Sequence, residues 1–452
     1  MTSLEDLLGQ HEGKTLEFKR DVSSPDKLIR TIVAFANGAG GTLLVGVEDG
    51  TRQVGGVAKP TDVEEQLANL IADRIMPRLV PELQILPWRK KYVVAVRVYP
   101  SSCRPHFVKS QGLQDGVYLR IGSTNRKADP AQIEEIGRFV GGHTFDEEPL
   151  TEMNTQAIDF RAASQCFAPV RKLTAGDLRT LQLAAMCQGR EVPTVGGVLL
   201  FGRDRLQRFP DAYIRAGSFA GTDKASILDS LTISAHLPLA LDEAMQFVQR
   251  NTRRAIDVQG TRHVEVREYP IVAVREALAN ALVHADYAQR GSPISVAVFA
   301  DRLEIYNPGG LLPGLTVEDI RSGVSRLRNR VIGRVFHELG LIEQWGSGIQ
   351  RMTAACLTAG LACPILEEVG SGFRVTLAPI ARSLPVMDAV DGTIMKLLRQ
   401  PGGLSTSEVA KGIGRTSRAT RDRLNRMVGL GLLVVVGSGP RDPRRVYRAV
   451  AG

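Results

Sequence analysis

The sequence predicts a multidomain α+β protein. Three observations carry that expectation. The chain has 452 residues, where one domain takes roughly 100–200, so three or four domains fit. Short strand-like runs alternate with helical periodicity through residues 1–140 and again beyond 250. Two stretches break the pattern as linkers do: the acidic HTFDEEPLTEMN (143–154) and SLPVMDAV (383–390). Four regions follow: 1–142, a connecting α/β region 155–250, a third region 251–382, and a small unit 388–452. Hydrophobic residues make up 43% and charged residues 23%, which suits globular parts with sizeable cores.

Composition narrows the function classes. No apolar run reaches the roughly 18–20 residues of a membrane span, and MTSLEDLLGQHEGK lacks the basic-then-apolar order of a signal peptide. Cytoplasmic residence without a membrane partner is expected. The five cysteines are scattered without C-x-x-C spacing and read as reduced thiols. A net charge of +9 and a pI near 9.4 favour a polyanionic partner. The excess is concentrated: between 415 and 445 stand Arg415, Arg418, Arg421, Arg423, Arg426, Arg441, Arg444 and Arg445, against Asp422 and Asp442. Self-association stays open.

In the first region GTLLVGVED (41–49), YVVAVRVYP (92–100) and GVYLRIGS (116–123) read as strands, and 24–37 and 61–79 as helices. Gly38, Gly40 and Gly41 mark a tight helix-to-strand turn, and Thr42–Val47 is apolar on both faces, hence buried. Lys19, Arg20, Arg120, Arg126 and Lys127 supply cations for phosphate contact. GQHEGKT (9–15) ends like a phosphate loop, but its glycines are too closely spaced and no strand precedes it. In the connecting region VGGVLLFG (195–202) reads as a strand, and Arg203-Asp204-Arg205 with Arg208 as a solvated turn, with contact to nucleotide or nucleic acid as the alternative.

The third region opens on REALANALVHADY (275–287). With Glu276 at zero on a helical wheel, Asn280 falls at about 40° and His284 at about 80°, while Val274, Leu278, Ala281 and Leu282 span roughly 140–240°. An apolar back and a coherent polar front result. ISVAVFADRLEIYNPGG (294–310) reads as two strands about a turn at Ala300–Arg302, ending in a glycine loop after Asn307. GLIEQWGSGIQRM (340–352) places Gly346 and Gly348 at a helix entrance, where backbone N–H groups favour anionic oxygen. Carboxylate, carboxamide and two glycine turns in this order suggest a nucleotide site.

The tail has its own grammar. DGTIMKLLRQPGG (391–403) is a helix stopped by Pro401 and Gly402; LSTSEVAKGIG (404–414) opens on capping residues Ser405, Thr406 and Ser407 near Glu408. TSRATRDRLNRMVGLGLL (416–433) is an arginine-bearing helix, and VVVGSGPRDPRRVYRA (434–449) a hairpin with a basic tip. That is the order of a winged helix-turn-helix, whose arginines meet DNA phosphates and guanine edges. Docking of a protein partner is the competing use.

REALANALVHADY, DRLEIYNPGGL, RNRVIGRVFHELGLIEQWGSGIQRM and GFRVTLAP (372–379) together resemble the GHKL ATP-binding fold, an α/β sandwich, in its divergent RecG-like (HATPase) branch. The resemblance implies ATP with Mg²⁺. Glu276 would be the general base, Asn280 the Mg²⁺ ligand, and His284 a further nucleotide-site residue. Asn307, Gly309 and Gly310 would border the adenine, and Gly346 and Gly348 would lie under the phosphates. Arg326, Arg328 and Arg330 would belong to a covering lid. At most a weak ATPase is implied. This chain has Asn307 where the wider superfamily has an aspartate.

EGKTLEFKRD (12–21), IVAFANGAGGTLLVGVEDG (32–50), SSCRPHF (101–107) and GVYLRIGSTNRKAD (116–129) resemble the Schlafen-type AlbA domain. Three readings stand there: nucleic-acid or partner binding, RNA included; a metal-dependent nuclease using Glu12, Glu17, Lys19 and Asp49; or a purely structural Glu17–Lys19 ion pair. The whole chain is expected to be an ATP-binding, DNA-binding transcriptional regulator. The alternatives are the nuclease and a defence or stress ATPase with a protein-binding tail.

Overall fold

The computed structural model describes residues 4–252, 254–259, 262–343, 346–378, 389–398, 403–429, 433–436 and 446–449. Mixed α and β elements form several sheets, and the chain divides after Ala378 into two compact units.

The first unit begins with a four-stranded sheet in the order Leu16–Lys19, Gly41–Val45, Lys91–Val98, Glu82–Trp88; only the first pair is parallel. Alternation of side chains across a strand decides what each residue meets. Leu43 and Val45 pack with Leu28, Ile32 and Phe35 of the helix Pro25–Asn37 and with Leu67 and Ile71 of the helix Pro60–Arg74. Leu44 joins Leu16 and Phe18 on the other face. The strand is buried on both faces, as its uninterrupted apolar run requires. Asn37, with no exposed surface, donates to the carbonyls of His106 and Tyr118 and accepts from the His106 N–H. It thereby pins the SSCRPHF segment to the end of its helix.

Two expectations are corrected here. The acidic stretch 143–154 is no loose linker. Asp146 is fully buried and accepts from the N–H groups of Arg330 (3.0 Å) and Ile332 (2.9 Å) and from the Thr144 hydroxyl (2.5 Å). It closes the N-terminus of the helix Arg330–Glu338, where free N–H groups favour a carboxylate. Residues 195–202 hold a helix, Val195–Phe201, entirely buried and capped by the Thr194 hydroxyl. A short, wholly apolar run is compatible with either element, and only packing separates them.

Asp146 also sets a pH dependence. Burial raises its pKa from the ordinary 3.8 to about 6, against the opposing bonds from Thr144 and the backbone. The native state therefore holds this proton more tightly than the unfolded chain. That contribution to stability is complete below about pH 4 and is lost as pH rises through about 6. Asp146→Asn keeps the shape and cannot titrate. Its denaturation midpoint, followed from pH 4 to 8, is expected to lack the decline between about pH 4 and 6 that is expected of the wild type.

A six-stranded sheet forms the rest of the first unit, in the order Ile227–Ile233, Ile214–Phe219, Ile294–Val298, Leu303–Pro308, Gly372–Leu377, Ile365–Val369. Its first two strands come from the connecting region, so residues 155–250 and 251–378 share one sheet and one core. The helices Leu237–Asn251, Ile271–His284 and Gly348–Thr358 pack on this sheet and on one another. Arg205, expected in a solvated turn, is 4% exposed and donates to the carbonyls of Leu199 and Ser234; Arg203 stays outside, beside Asp159.

The second unit has helices Ala389–Leu398, Thr406–Ile413 and Ser417–Gly429, then an antiparallel pair Leu433–Val436 and Val446–Ala449. Ile394, Leu398, Val409, Leu424, Met427, Leu433 and Tyr447 form its core. Ser405 and Glu408 make a reciprocal capping box. Leu404 and Tyr447 exchange backbone hydrogen bonds, so Leu404 lies alongside the strand Val446–Ala449. Among the described residues no helix is long and apolar enough to cross a membrane.

Candidate functional site

Glu276, Asn280 and His284 stand one turn apart on the helix Ile271–His284. Its Val274, Leu278, Ala281 and Leu282 are buried in the core. The polar side lines a cavity of about 130 Å³ that opens to solvent. Ile305, Phe373 and Val375 of the sheet and Ala277 and Ala281 of the helix make an apolar wall. The covering segment adds Leu312, Leu315, Ile320 and Val324. Asn307, Gly309, Gly310, Arg326, Arg328, Gly346 and Gly348 complete the rim.

Two glycines are needed at their positions. Gly309 has φ +88°, and a Cβ there would lie 2.5 Å from Arg328 Nη1. A Cβ on Gly348 would lie 2.7 Å from Glu276 Oε2. The helix Gly348–Thr358 can start this close to the acid only because its first residue has no side chain.

Glu276 is 6% exposed, and burial raises its pKa, while Arg351 at 3.1 Å and the nearby Arg275 oppose the shift. Arg351 also pairs with Glu343. Arg351 was not singled out in the sequence; its signal was a lone cation one turn into a glycine-headed helix. Burial first, then the charge of Arg328, pushes His284 down to about 4, so its imidazole is neutral at pH 7 and both donates and accepts. Asn307 spends its NH₂ group on the carbonyls of Pro308 and Gly309, which leaves the side-chain oxygen as acceptor.

The lid arginines divide. Arg326 is exposed and lines the cavity. Arg328 is 7% exposed and donates to Glu135 (2.7 Å) and to the carbonyls of His284 and Gly310 (2.9 Å each). It holds the wall together and has few donors to spare. Arg330 points away, to Glu147 and the Gly142 carbonyl.

Comparison with known proteins gives names to two parts of this architecture. Residues 12–129 match the family model described as Schlafen, AlbA_2, and residues 291–377 the one described as putative ATP-dependent DNA helicase recG C-terminal. The chain carries both domains. The DIP2311 protein from Corynebacterium diphtheriae is similar over 99% of this chain and 96% of its own, at 22% identity and a TM-score of 0.45. The N-terminal domain of a putative ATP-dependent DNA helicase RecG-related protein from Nitrosomonas europaea covers 28% of this chain and 94% of its own, at 30% identity and a TM-score of 0.23. No curated protein matches. The two domain types point to an ATP-binding, nucleic-acid-related protein.

The Schlafen AlbA_2 domain and the helix Pro130–Val140 that follows it touch the RecG-type domain at two places beside the cavity. Glu135 accepts from Arg328, and Lys14 pairs at 2.5 Å with Glu368, which also accepts from the Leu311 N–H. None of Lys14, Glu135 or Glu368 had a visible sequence signal, because each pair spans domains.

Inside the Schlafen AlbA_2 domain, Glu12, Glu17 and Asp49 are neighbours. Burial raises Glu12, and the Asp49 hydrogen bond and the Glu17 and Asp49 charges reinforce the shift against the bond from the Phe18 N–H. Glu17 is 7% exposed and is held by Lys19 on one oxygen and by Arg120 on the other. Among the described residues no three His, Cys, Asp or Glu side chains are placed to share a metal ion. Both carboxylate oxygens of Glu17 are thus already engaged by cations. Arg120, expected at a phosphate-binding surface, is 5% exposed and tied to Glu17, Asn125 and the carbonyls of Gly13 and Leu16. Arg126 and Lys127 are exposed.

In the tail, Arg415 and Arg421 are exposed. Arg423, expected outside, turns back 2.7 Å from the buried Asp391. Arg418 and Arg426 lie on the helix Ser417–Gly429, their side chains outside the described set; Arg441, Arg444 and Arg445 lie outside the described residues.

Proposed function

We propose that the chain is an ATP-binding, DNA-binding regulator: the cavity takes Mg-ATP, and the second unit, read as a winged helix-turn-helix, contacts DNA. One observation carries the reading. Ten residues chosen for nucleotide chemistry, dispersed from Glu276 to Gly348, line one cavity. Its apolar wall suits a base. Mg-ATP, when bound, supplies a hard cation that bridges phosphate oxygens and a terminal phosphate open to attack.

The chain's own groups would then act as follows. Asn280 offers its amide oxygen to the cation, which commonly takes one or two protein ligands with phosphates and waters completing its shell. Asn307 accepts from the adenine amino group. Gly346 and Gly348 let backbone N–H groups approach phosphate oxygen. Glu276, buried beside Arg351, is placed to take a proton from water. Arg415, Arg421 and their neighbours neutralise DNA phosphates.

DNA and RNA binding across a salt series, with and without Mg-ATP, tests the reading on the full chain and on residues 1–378. Specific DNA affinity should persist above a salt-steep background and vanish in the truncated chain. Arg421→Ala should reduce the salt slope by about one. If ATP tightens DNA binding, DNA must tighten ATP binding by the same factor. Unchanged DNA affinity without residues 379–452 would overturn the role given to the tail.

A further inference from the structure

Among the described residues, Arg326 on the cavity wall and its neighbour Arg104 have no counter-ion. Around the cleft that adjoins it, Arg328 pairs with Glu135, Arg330 with Glu147, and Arg138 with Glu134 and Glu148. Arg104 and Arg326 have no carboxylate within ion-pair reach among the described residues. They come from different domains, yet both flank the Phe139 ring, 5.4 and 5.8 Å from its centroid. Gly314, φ +89°, lies between them. A Cβ there would be 3.4 Å from Arg326 Nη1 and 3.8 Å from both Arg104 Nη atoms. A gap bounded by two guanidinium groups results, left open because residue 314 has no side chain.

Arg104 is a built part of this gap. It is 8% exposed and fixed by its Nε to the Ser101 carbonyl (2.6 Å) and by Nη1 to the carbonyls of Asn37 and Gly38 (3.4 Å each). Its Nη2 has no acceptor among the described residues. Burial, and then the charge of Arg326, lowers its pKa. A buried cation facing a second cation is costly unless an anion joins them. Arg326 lines both the cleft and the nucleotide cavity.

We propose that Arg104 and Arg326 form a phosphate subsite at the rim of the cavity, and that its occupant is the terminal phosphate of the bound nucleotide. The inference rests on the Mg-ATP reading of the cavity and deepens it. The Schlafen AlbA_2 domain then supplies a cation to a ligand held by the RecG-type domain, and nucleotide state is read across the boundary between them. Arg326 makes no side-chain hydrogen bond among the described residues and can present two parallel donors to phosphate oxygens, while Arg104 adds its Nη2.

Calorimetry on the full chain, comparing Mg-ATP with Mg-ADP, tests it. Arg326→Gln and Arg104→Gln should each weaken ATP about tenfold and change ADP less than twofold. Arg104→Lys should recover part of the loss. Should Arg104→Gln melt early, the exposed Arg326→Gln carries the test. An unchanged ATP-to-ADP affinity ratio in Arg326→Gln overturns the proposal. So does a loss of affinity for a poly-dT oligonucleotide with ATP binding intact, which would assign the pair to nucleic-acid phosphates. If the wild type takes up neither nucleotide, the Mg-ATP reading itself has failed, a result distinct from the other two.

Discussion

Asn280→Ala is expected to weaken Mg-ATP uptake by about 100-fold while leaving magnesium-free nucleotide binding within about threefold. The magnitude follows from the place of the side chain. Residues that only support a metal ligand cost about 10–100-fold when removed, so a direct oxygen ligand belongs at the upper end. Asn280 lies on the cavity side of a helix whose other faces are packed in the core. Truncation there removes a polar group from a cavity wall and leaves the core intact, so the fold should survive. Titration calorimetry with and without magnesium separates the two affinities. Equal losses under both conditions would show that Asn280 contacts the nucleotide and not the ion.

Glu276→Gln is expected to lower ATP hydrolysis by about 10²–10⁴-fold, the usual contribution of a general base, with Mg-ATP affinity little changed. Glutamine keeps the size that fits against Gly348 but cannot accept the proton. The partner of this acid gives a second readout. Arg351 opposes the upward shift that burial imposes on Glu276. Arg351→Ala removes that opposition, so the carboxyl should ionise at a higher pH and the acid limb of the rate profile should move upward. A single-turnover pH profile of both variants checks the assignment. Wild-type turnover in Glu276→Gln would sink it, and an unmoved limb in Arg351→Ala would show that the limb reports another group.

The candidate site was legible because its chemistry is local. Glu276, Asn280 and His284 repeat at four-residue steps, so helix geometry alone puts them on one side. Asn307 lies at the end of a strand, and Gly309 and Gly310 follow after Pro308, which places a loop there. What could not be read was which polar side chains are already taken. Arg328 and Arg326 differ by two positions in the same basic segment, yet one is buried among carbonyl oxygens and Glu135 and the other is exposed. Glu17 has its second oxygen held by Arg120, more than a hundred residues away. Arg423 is paired with Asp391. Each case concerns a charge whose partner lies far off in sequence, and electrostatic pairing leaves no periodic trace.

Element type follows the same division. Where apolar residues alternate with polar ones, or recur every third and fourth position, the period by itself assigned the element, as for Leu303–Pro308 and Ile271–His284. Where every residue is apolar there is no period. Val195–Phe201 became a helix because its glycines let it settle against Leu183 and Val331, where a Cβ on Gly197 or Gly196 would lie 2.0 or 2.6 Å from their atoms. Local order thus came from spacing along the chain, which acts over a few residues through backbone geometry. Tertiary contact decided which charges remain free, that residues 143–154 lock a distant helix, and that two domains meet at the rim of one cavity. Burial and ion pairing depend on distance in space, and only the folded chain brings those groups within reach.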